Sequence, residues 1–338
     1  MDPLAASLAN SPALFPHALD LRRDVVTLVR LSRADYQNAS FLDDRIARPG
    51  RDLAWQQLAR AVGEAGLGET CHFIFHIGHV GSTLLSRLLG KHPALFSLRE
   101  PQILRMIAQM PDATRRETYL PACLKLWSRT FNPGARALVK TTSFVSEIAA
   151  QLLGRAYSPK ALLIGVSPET YLATIFGGAN SPVEAKMLAP SRLARLEKRV
   201  GGKWRLGDLS EGEVAALGWA GEASAILEAA EQAGTRIQVL DFENFLAKPH
   251  GSLERVFRHF NVAADAQEVA AILSGPEMST YSKAPEFSYD PQLRRSVLDQ
   301  GRRLHADEIH RGLLWLDRAA REHQSIGRAF ALFNYWSG

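Results

Sequence analysis

Cysteine is scarce. The 338-residue chain has two, Cys71 and Cys123, in no CxxC pair and with no Cys/His ligand spacing. A disulfide framework and a zinc site are therefore not expected, and no metal is assigned. Long apolar runs are also missing: nothing approaches the roughly 18 consecutive residues that a membrane span requires, and residues 1–20 show no basic segment followed by an apolar one. The expectation is a protein of the reducing cytoplasm with no membrane partner. There is no repeat of fixed period and no low-complexity tract, which excludes solenoids. Nor does any Lys/Arg run alternate with aromatics, so no nucleic-acid partner is expected despite a net charge of +5 and a pI near 9.3. With 46% hydrophobic and 22% charged residues, the composition is that of an ordinary globular chain, and its basic balance suits an anionic small molecule.

What is present is concentrated in residues 72–89, HFIFHIGHVGSTLLSRLL. Phe73, Ile74, Phe75 and Ile77 form a short apolar run rich in aromatic and β-branched residues, while Leu84, Leu85, Leu88 and Leu89 recur at helical spacing. The pattern predicts a buried strand, a glycine turn, and a helix whose first turn is 82–85. At such a junction the first N–H groups of the helix lack intrahelical partners and the helix dipole adds positive potential, which makes a seat for an anion. Gly78 and Gly81 let the backbone approach a phosphate, Ser82 and Thr83 can add hydroxyl donors, and His79 and Val80 complete the loop. A glycine turn of this kind also arises for packing alone.

One absence sharpens the reading. A loop built for nucleoside triphosphates has Gly-Lys followed by Ser or Thr, and here Gly81 is followed directly by Ser82 and Thr83. Without the lysine, ATP or GTP hydrolysis is disfavoured. In Gly81-Ser82-Thr83-Leu84-Leu85 the chain resembles the P-loop sulfotransferases that use 3′-phosphoadenylyl sulfate, especially bacterial members. The resemblance spans about residues 71–300. It implies that the loop holds the 5′-phosphosulfate end of the donor.

Further strands are predicted at 95–98, 136–140, 161–166 and 236–240, separated by helical patterns at 102–110, 113–131 (broken at Pro121), 144–153, 181–199, 211–233 and 252–260. Strands alternating with helices point to an α/β fold: a three-layer parallel sheet of P-loop type with helices on both faces. Ligands of open α/β sheets gather at the carboxyl ends of strands. That makes Glu100, in Arg99-Glu100-Pro101, the leading general-base candidate, although a carboxylate there also suits the N-terminus of the next helix. The resemblance supports the catalytic role, since related enzymes carry a similar Arg-Glu-Pro. Lys140 closes the next strand, where its ammonium can face charge developing in transfer. His79 stands where relatives often have a lysine or arginine, and a histidine is charged only in part near neutral pH.

The family places an arginine and a serine on the donor's 3′-phosphate, and the matching positions here are Val166 and Thr174. Threonine keeps the hydroxyl; valine supplies no charge. Replacement cations are sought in 281–295, with Lys283 matched by position and Arg294 and Arg295 nearby. Residues 1–68 read as an N-terminal extension, separate from an α/β domain at 69–338. It holds a strand at 25–31, a short helix at 34–41 and a helix at 52–65 capped by Asp52. Asp43-Asp44-Arg45 is expected to be a solvated turn, and the basic group Arg192, Arg195, Lys198 and Arg199 a solvated helix face. The helices at 181–199 and 211–233 are expected to form a lid or acceptor-side insertion, and the last helices to cover the core or join a homodimer.

Together these readings give in-line sulfuryl transfer to a small-molecule, carbohydrate or peptide acceptor, with no magnesium demanded. Two alternatives stay open: a small-molecule kinase using ATP, and a non-catalytic binder with a decayed donor site.

Overall fold

The computed structural model describes residues 2–280 and 291–334. The chain opens with helix α1 (Pro3–Asn10), whose N-cap Asp2 accepts from Leu4 N, and then forms an antiparallel meander of β1 (Leu14–Asp20), β2 (Val25–Arg30) and β3 (Gly50–Ala54). The short α2 (Arg33–Asn38) starts in a capping box in which Ser32 and Asp35 satisfy each other's backbone N–H groups. Neither α1 nor β1 was visible in the hydrophobic pattern. Pro16 sits inside β1, where the pairing with β2 slips by a residue, so the strand lacks regular alternation. Asp52 does not cap a helix. It lies in β3 opposite Thr27, whose hydroxyl donates to its carboxylate at 2.6 Å, and the helix α3 (Trp55–Glu64) begins only after the strand ends.

The α/β part follows with β4 (His72–His76), α4 (Ser82–Leu89), β5 (Leu95–Arg99), α5 (Gln102–Ala108), α6 (Ala113–Trp127), β6 (Arg136–Lys140), a 3₁₀ turn at Ser143–Ile148 leading into α7 (Ala149–Leu153), and β7 (Ala161–Gly165). Next come α8 (Pro168–Gly177), α9 (Ser181–Val200), α10 (Glu211–Ala233), β8 (Ile237–Asp241), α11 (Phe242–Ala247), α12 (Pro249–His259), α13 (Ala266–Leu273), α14 (Pro291–Leu304), α15 (Ala306–Glu322) and α16 (Gln324–Asn334). The five strands form one parallel sheet in the order β5-β6-β4-β7-β8. The chain leaves the central β4 first toward β6 and β5, then toward β7 and β8. That reversal opens a crevice at the carboxyl end of β4. All of β7 is buried, as a central strand covered on both faces must be. The apolar core is continuous from Ala5 and Val26 through Phe73 and Ile164 to Phe333.

Two helical expectations need correction. The helix at α6 is not broken at Pro121 but runs through it. A proline costs one backbone hydrogen bond, about 3 kcal/mol, and here the flanking Tyr119, Leu120, Ala122, Cys123 and Leu124 are all buried, which outweighs it. The helix α10 is no lid: every residue from 214 to 227 is buried, and α9, α15 and α16 pack around it. Its small residues allow this. A Cβ on Gly212 would lie 1.8 Å from the Glu308 carbonyl oxygen, and one on Gly312 would lie 2.6 Å from that of Gly212, so α10 and α15 meet backbone to backbone. The last helices α15 and α16 cover this layer. Among the described residues no helix is long and apolar enough to cross a membrane.

Candidate active site

A cavity of about 590 Å³ lies over the carboxyl ends of β4, β5 and β6. Its floor is the turn between β4 and α4. Gly78, His79 and Gly81 all take positive φ (88°, 55° and 65°), which swings the backbone from strand into helix within a few residues. Only glycine fits at position 81, because a Cβ there would lie 2.0 Å from the Phe242 ring. His76 braces the entry to the turn: its Nδ1 accepts from Gly78 N at 3.0 Å, and its Nε2 lies 2.9 Å from the Thr141 carbonyl. Those partners assign the proton to Nε2 and leave the imidazole neutral.

The N-cap Gly81 brings no side chain to the first N–H groups of α4, so the helix end faces the cavity with its own donors. Ser82 and Thr83 stand beside them, both buried. Thr83 Oγ1 has no hydrogen-bond partner among the described residues, and a buried hydroxyl left that way is costly unless something else meets it. His79 points toward Glu184, with Nε2 3.6 Å from its carboxylate, and lies edge-on to Tyr171.

Strand register assembles the second half. Arg99 pairs with Lys140 across β5 and β6, and Glu100 N donates to the Lys140 carbonyl at 2.7 Å, so both side chains leave the same sheet edge. The Lys140 ammonium donates to Glu100 Oε1, and the Thr142 hydroxyl donates to Glu100 Oε2 at 2.9 Å. Lys140 is 1% and Glu100 8% exposed, so each charge is held where water is largely excluded and the other must balance it. Glu100 is also one of the few non-glycine residues at positive φ (51°). It does not cap α5: the N-cap there is Pro101, with no side-chain bond. The carboxylate is therefore committed to the cavity wall.

Of the other sequence candidates, Thr174 lines the cavity while its hydroxyl donates to the Thr170 carbonyl at 2.7 Å, leaving lone pairs rather than a proton to offer. Val166 is fully buried away from any ligand role, its carbonyl accepting from Trp219 Nε1. Lys283 lies outside the described residues. Arg294 is on the wall, stacked 5.1 Å from the Phe242 ring and bonded to Glu243 Oε1, whereas Arg295 is exposed.

Reasoning from sequence missed several wall residues. Arg192 belongs to no solvated face. It is 3% exposed and lines the cavity, its Nε 3.7 Å from Glu222 Oε1. Arg195 bridges Glu222 and Glu147, and Arg199 takes Glu147 as well, so three arginines share two buried or half-buried glutamates. Arg199 also reaches the exposed Glu228 at 3.7 Å. Arg192 stands at the cavity end of this ion-pair network. In Asp43-Asp44-Arg45, Asp44 and Arg45 are exposed as a solvated turn requires, but Asp43 is buried and Arg45 borders the cavity. Among the described residues no group of three His, Cys, Asp or Glu is placed to hold a metal ion.

No family model matches the chain, and no curated protein matches it in sequence. Among solved structures it is similar to the sulfotransferase domain from the curacin biosynthetic pathway, at 19% identity and TM-score 0.42 over 69% of this chain and 90% of that one. It is similar to the sulfotransferase domain of the Synechococcus PCC 7002 olefin synthase, at 16% identity and TM-score 0.40 over 72% and 94% of the two chains. The sulfotransferase STF9 from Mycobacterium avium is similar at 14% identity and TM-score 0.41, over 74% of this chain and 80% of that one.

Proposed function

We propose that the protein is a sulfotransferase that moves a sulfuryl group from 3′-phosphoadenylyl sulfate to the hydroxyl or amine of a small acceptor. One observation carries this reading. A lysine-free glycine turn presents helix N–H groups and the unpartnered Thr83 hydroxyl to the cavity that also holds the Lys140–Glu100 pair. Anion seat, cation and proton acceptor thus share one cavity.

In this reading the backbone of residues 79–83 holds the 5′-phosphate by N–H donors. Glu100 accepts the proton of the acceptor hydroxyl as its oxygen bonds to sulfur, while the bond from sulfur to the phosphate oxygen breaks and leaves that oxygen with the electron pair. Lys140, with His79 in support, faces the oxygen on which charge grows. Thr174 lies on the wall with its proton already given to the Thr170 carbonyl, so the 3′-phosphate is assigned to Arg192 and Arg294, which supply the charge that Val166 does not. Arg192 is buried on the wall and only loosely paired, its Nε 3.7 Å from Glu222 Oε1, which leaves its guanidinium able to meet an anion.

Calorimetry with adenosine 3′,5′-bisphosphate and with ATP-magnesium tests the donor class. Binding of the bisphosphate is expected; binding of ATP-magnesium alone overturns the reading in favour of a kinase. With labelled donor, Ser82→Ala and Glu100→Gln are each expected to lower the transfer rate by at least about 100-fold for the base and about fivefold for the hydroxyl. Full rate in both refutes the assigned roles.

A further inference from the structure

The turn Asp43-Asp44-Arg45 belongs to the N-terminal extension, yet it closes the Glu100 end of the cavity. Its position is built in. Leu42 N donates to the Arg99 carbonyl at 2.7 Å, and Gln102 N donates to the Leu42 carbonyl at 3.1 Å, so the extension is bonded to the chain on both sides of Glu100. Asp43 is 5% exposed and anchors the Arg45 guanidinium through both oxygens, with Nε at 2.8 Å from Oδ1. Arg105 NH1 approaches the same carboxylate at 3.5 Å. Burial would raise the Asp43 carboxyl, but the Arg45 and Arg105 guanidiniums hold it below its ordinary value, so it stays ionised. Two guanidiniums thus share the Asp43 carboxylate.

Arg45 also sits over the Phe41 ring, its Cζ 3.8 Å from the centroid, and its Nη1 donors meet no partner among the described residues. A guanidinium held by a carboxylate on one edge and an aromatic face beneath has little rotamer freedom left to lose on binding. Lys140 Nζ is 5.4 Å and Arg45 Cζ 3.8 Å from the Phe41 ring centroid, so the two cations lie at most about 9 Å apart.

Building on the sulfuryl-transfer reading, we propose that Arg45, supported by Arg105, recognises an anionic group on the acceptor, and that this group lies within about the span of one aromatic ring and a short side chain from the reacting hydroxyl. Phe41 and Phe144 supply the apolar walls between the two ends. The acceptor class is then a hydroxy acid, aromatic or of similar length, and the specificity-determining residue comes from the extension rather than from the α/β core.

The test uses the full chain and matched pairs of hydroxyaryl acids and their amides, beginning with 4-hydroxyphenylacetate and 4-hydroxyphenylacetamide. Nucleotide binding is measured first: a wild-type protein with no affinity for adenosine 3′,5′-bisphosphate refutes sulfuryl transfer itself. With that binding intact, acids are expected to show at least about tenfold higher kcat/KM than their amides, carried by KM. Arg45→Gln is expected to bring that ratio near one while the Kd of adenosine 3′,5′-bisphosphate stays within about twofold, and Arg45→Lys to restore part of the preference. Equal handling of acids and amides by the wild type, or an acid preference that survives Arg45→Gln, overturns the acceptor proposal alone. Loss of bisphosphate affinity in Arg45→Gln also overturns it, by assigning the arginine to the donor.

Discussion

Thr83 shows at the scale of a single residue a hydroxyl that packing does not explain. A hydroxyl that is buried with no partner adds nothing to stability, so Thr83→Val, which keeps the shape and removes the oxygen, is expected to leave the urea midpoint unchanged or slightly raised. The same substitution is expected to weaken adenosine 3′,5′-bisphosphate about three- to tenfold by calorimetry, the worth of one neutral hydrogen bond. A lower midpoint with unchanged affinity would make Thr83 structural. That these residues share one cavity was legible in the sequence because the turn and the strand ends announce themselves by pattern: Gly78 to Thr83, Glu100 and Lys140 all line it. Arg45 and Arg192 were not. Each is matched to acids that are remote in sequence or hidden by burial, and a charged residue read alone defaults to solvent.

At the scale of elements, three core arginines fasten the N-terminal extension by its main chain. Arg87 donates to the carbonyls of Gln37 and Asn38, Arg99 to those of Tyr36, Gln37 and Ala39, and Arg129 to those of Leu8, Ser11 and Leu14. Burial, together with repulsion from Arg87, brings the Arg99 pKa down to about 9, so it remains charged at neutral pH. Arg99→Met removes those bonds and leaves carbonyls buried without donors, an expected loss of about 3 kcal/mol in chemical denaturation. It is also expected to raise the acceptor KM, because Phe41 and Arg45 lose their footing. A variant with wild-type stability would show that the carbonyls find other donors. Strands and helices of the α/β part were largely readable, their apolar periods being strong. Boundaries failed where tertiary contacts overruled local preference: Asp52 drawn into a strand by Thr27, α6 carried through Pro121, and α10 mistaken for an insertion although its all-round small and apolar surface is that of an interior helix.

For the whole molecule, the buried histidines set the acid limit. Burial, with Arg136 and Lys160 nearby, lowers His72 to about 4, and His17 and His259 are lowered as well, chiefly by burial. Such groups are neutral in the fold, while the unfolded chain takes up a proton as pH falls below about 6.5. Unfolding therefore binds protons between pH 6.5 and 4: stability is full above the upper value and declines toward the lower one, by at most about 1.4 kcal/mol per pH unit for His72. Urea titrations at pH 7, 6 and 5 are expected to show the decline, and His72→Asn to flatten it. An unchanged slope in that variant would assign the decline to other groups.

The arginine grip on the extension has an evolutionary consequence. Peptide carbonyls are the same whatever side chain they carry, so these arginines place little constraint on the exposed side chains of Gln37 and Asn38, whereas Tyr36 is fixed by its buried ring and by its hydroxyl bond to the Pro12 carbonyl. Within the neighbouring stretch at 41–45, Phe41, Leu42 and Asp43 are buried, so change is cheapest at the exposed Asp44 and Arg45, where the turn borders the cavity. Relatives of such an architecture would alter that end of the cavity by rewriting one or two exposed positions while the buried anchor stays as it is.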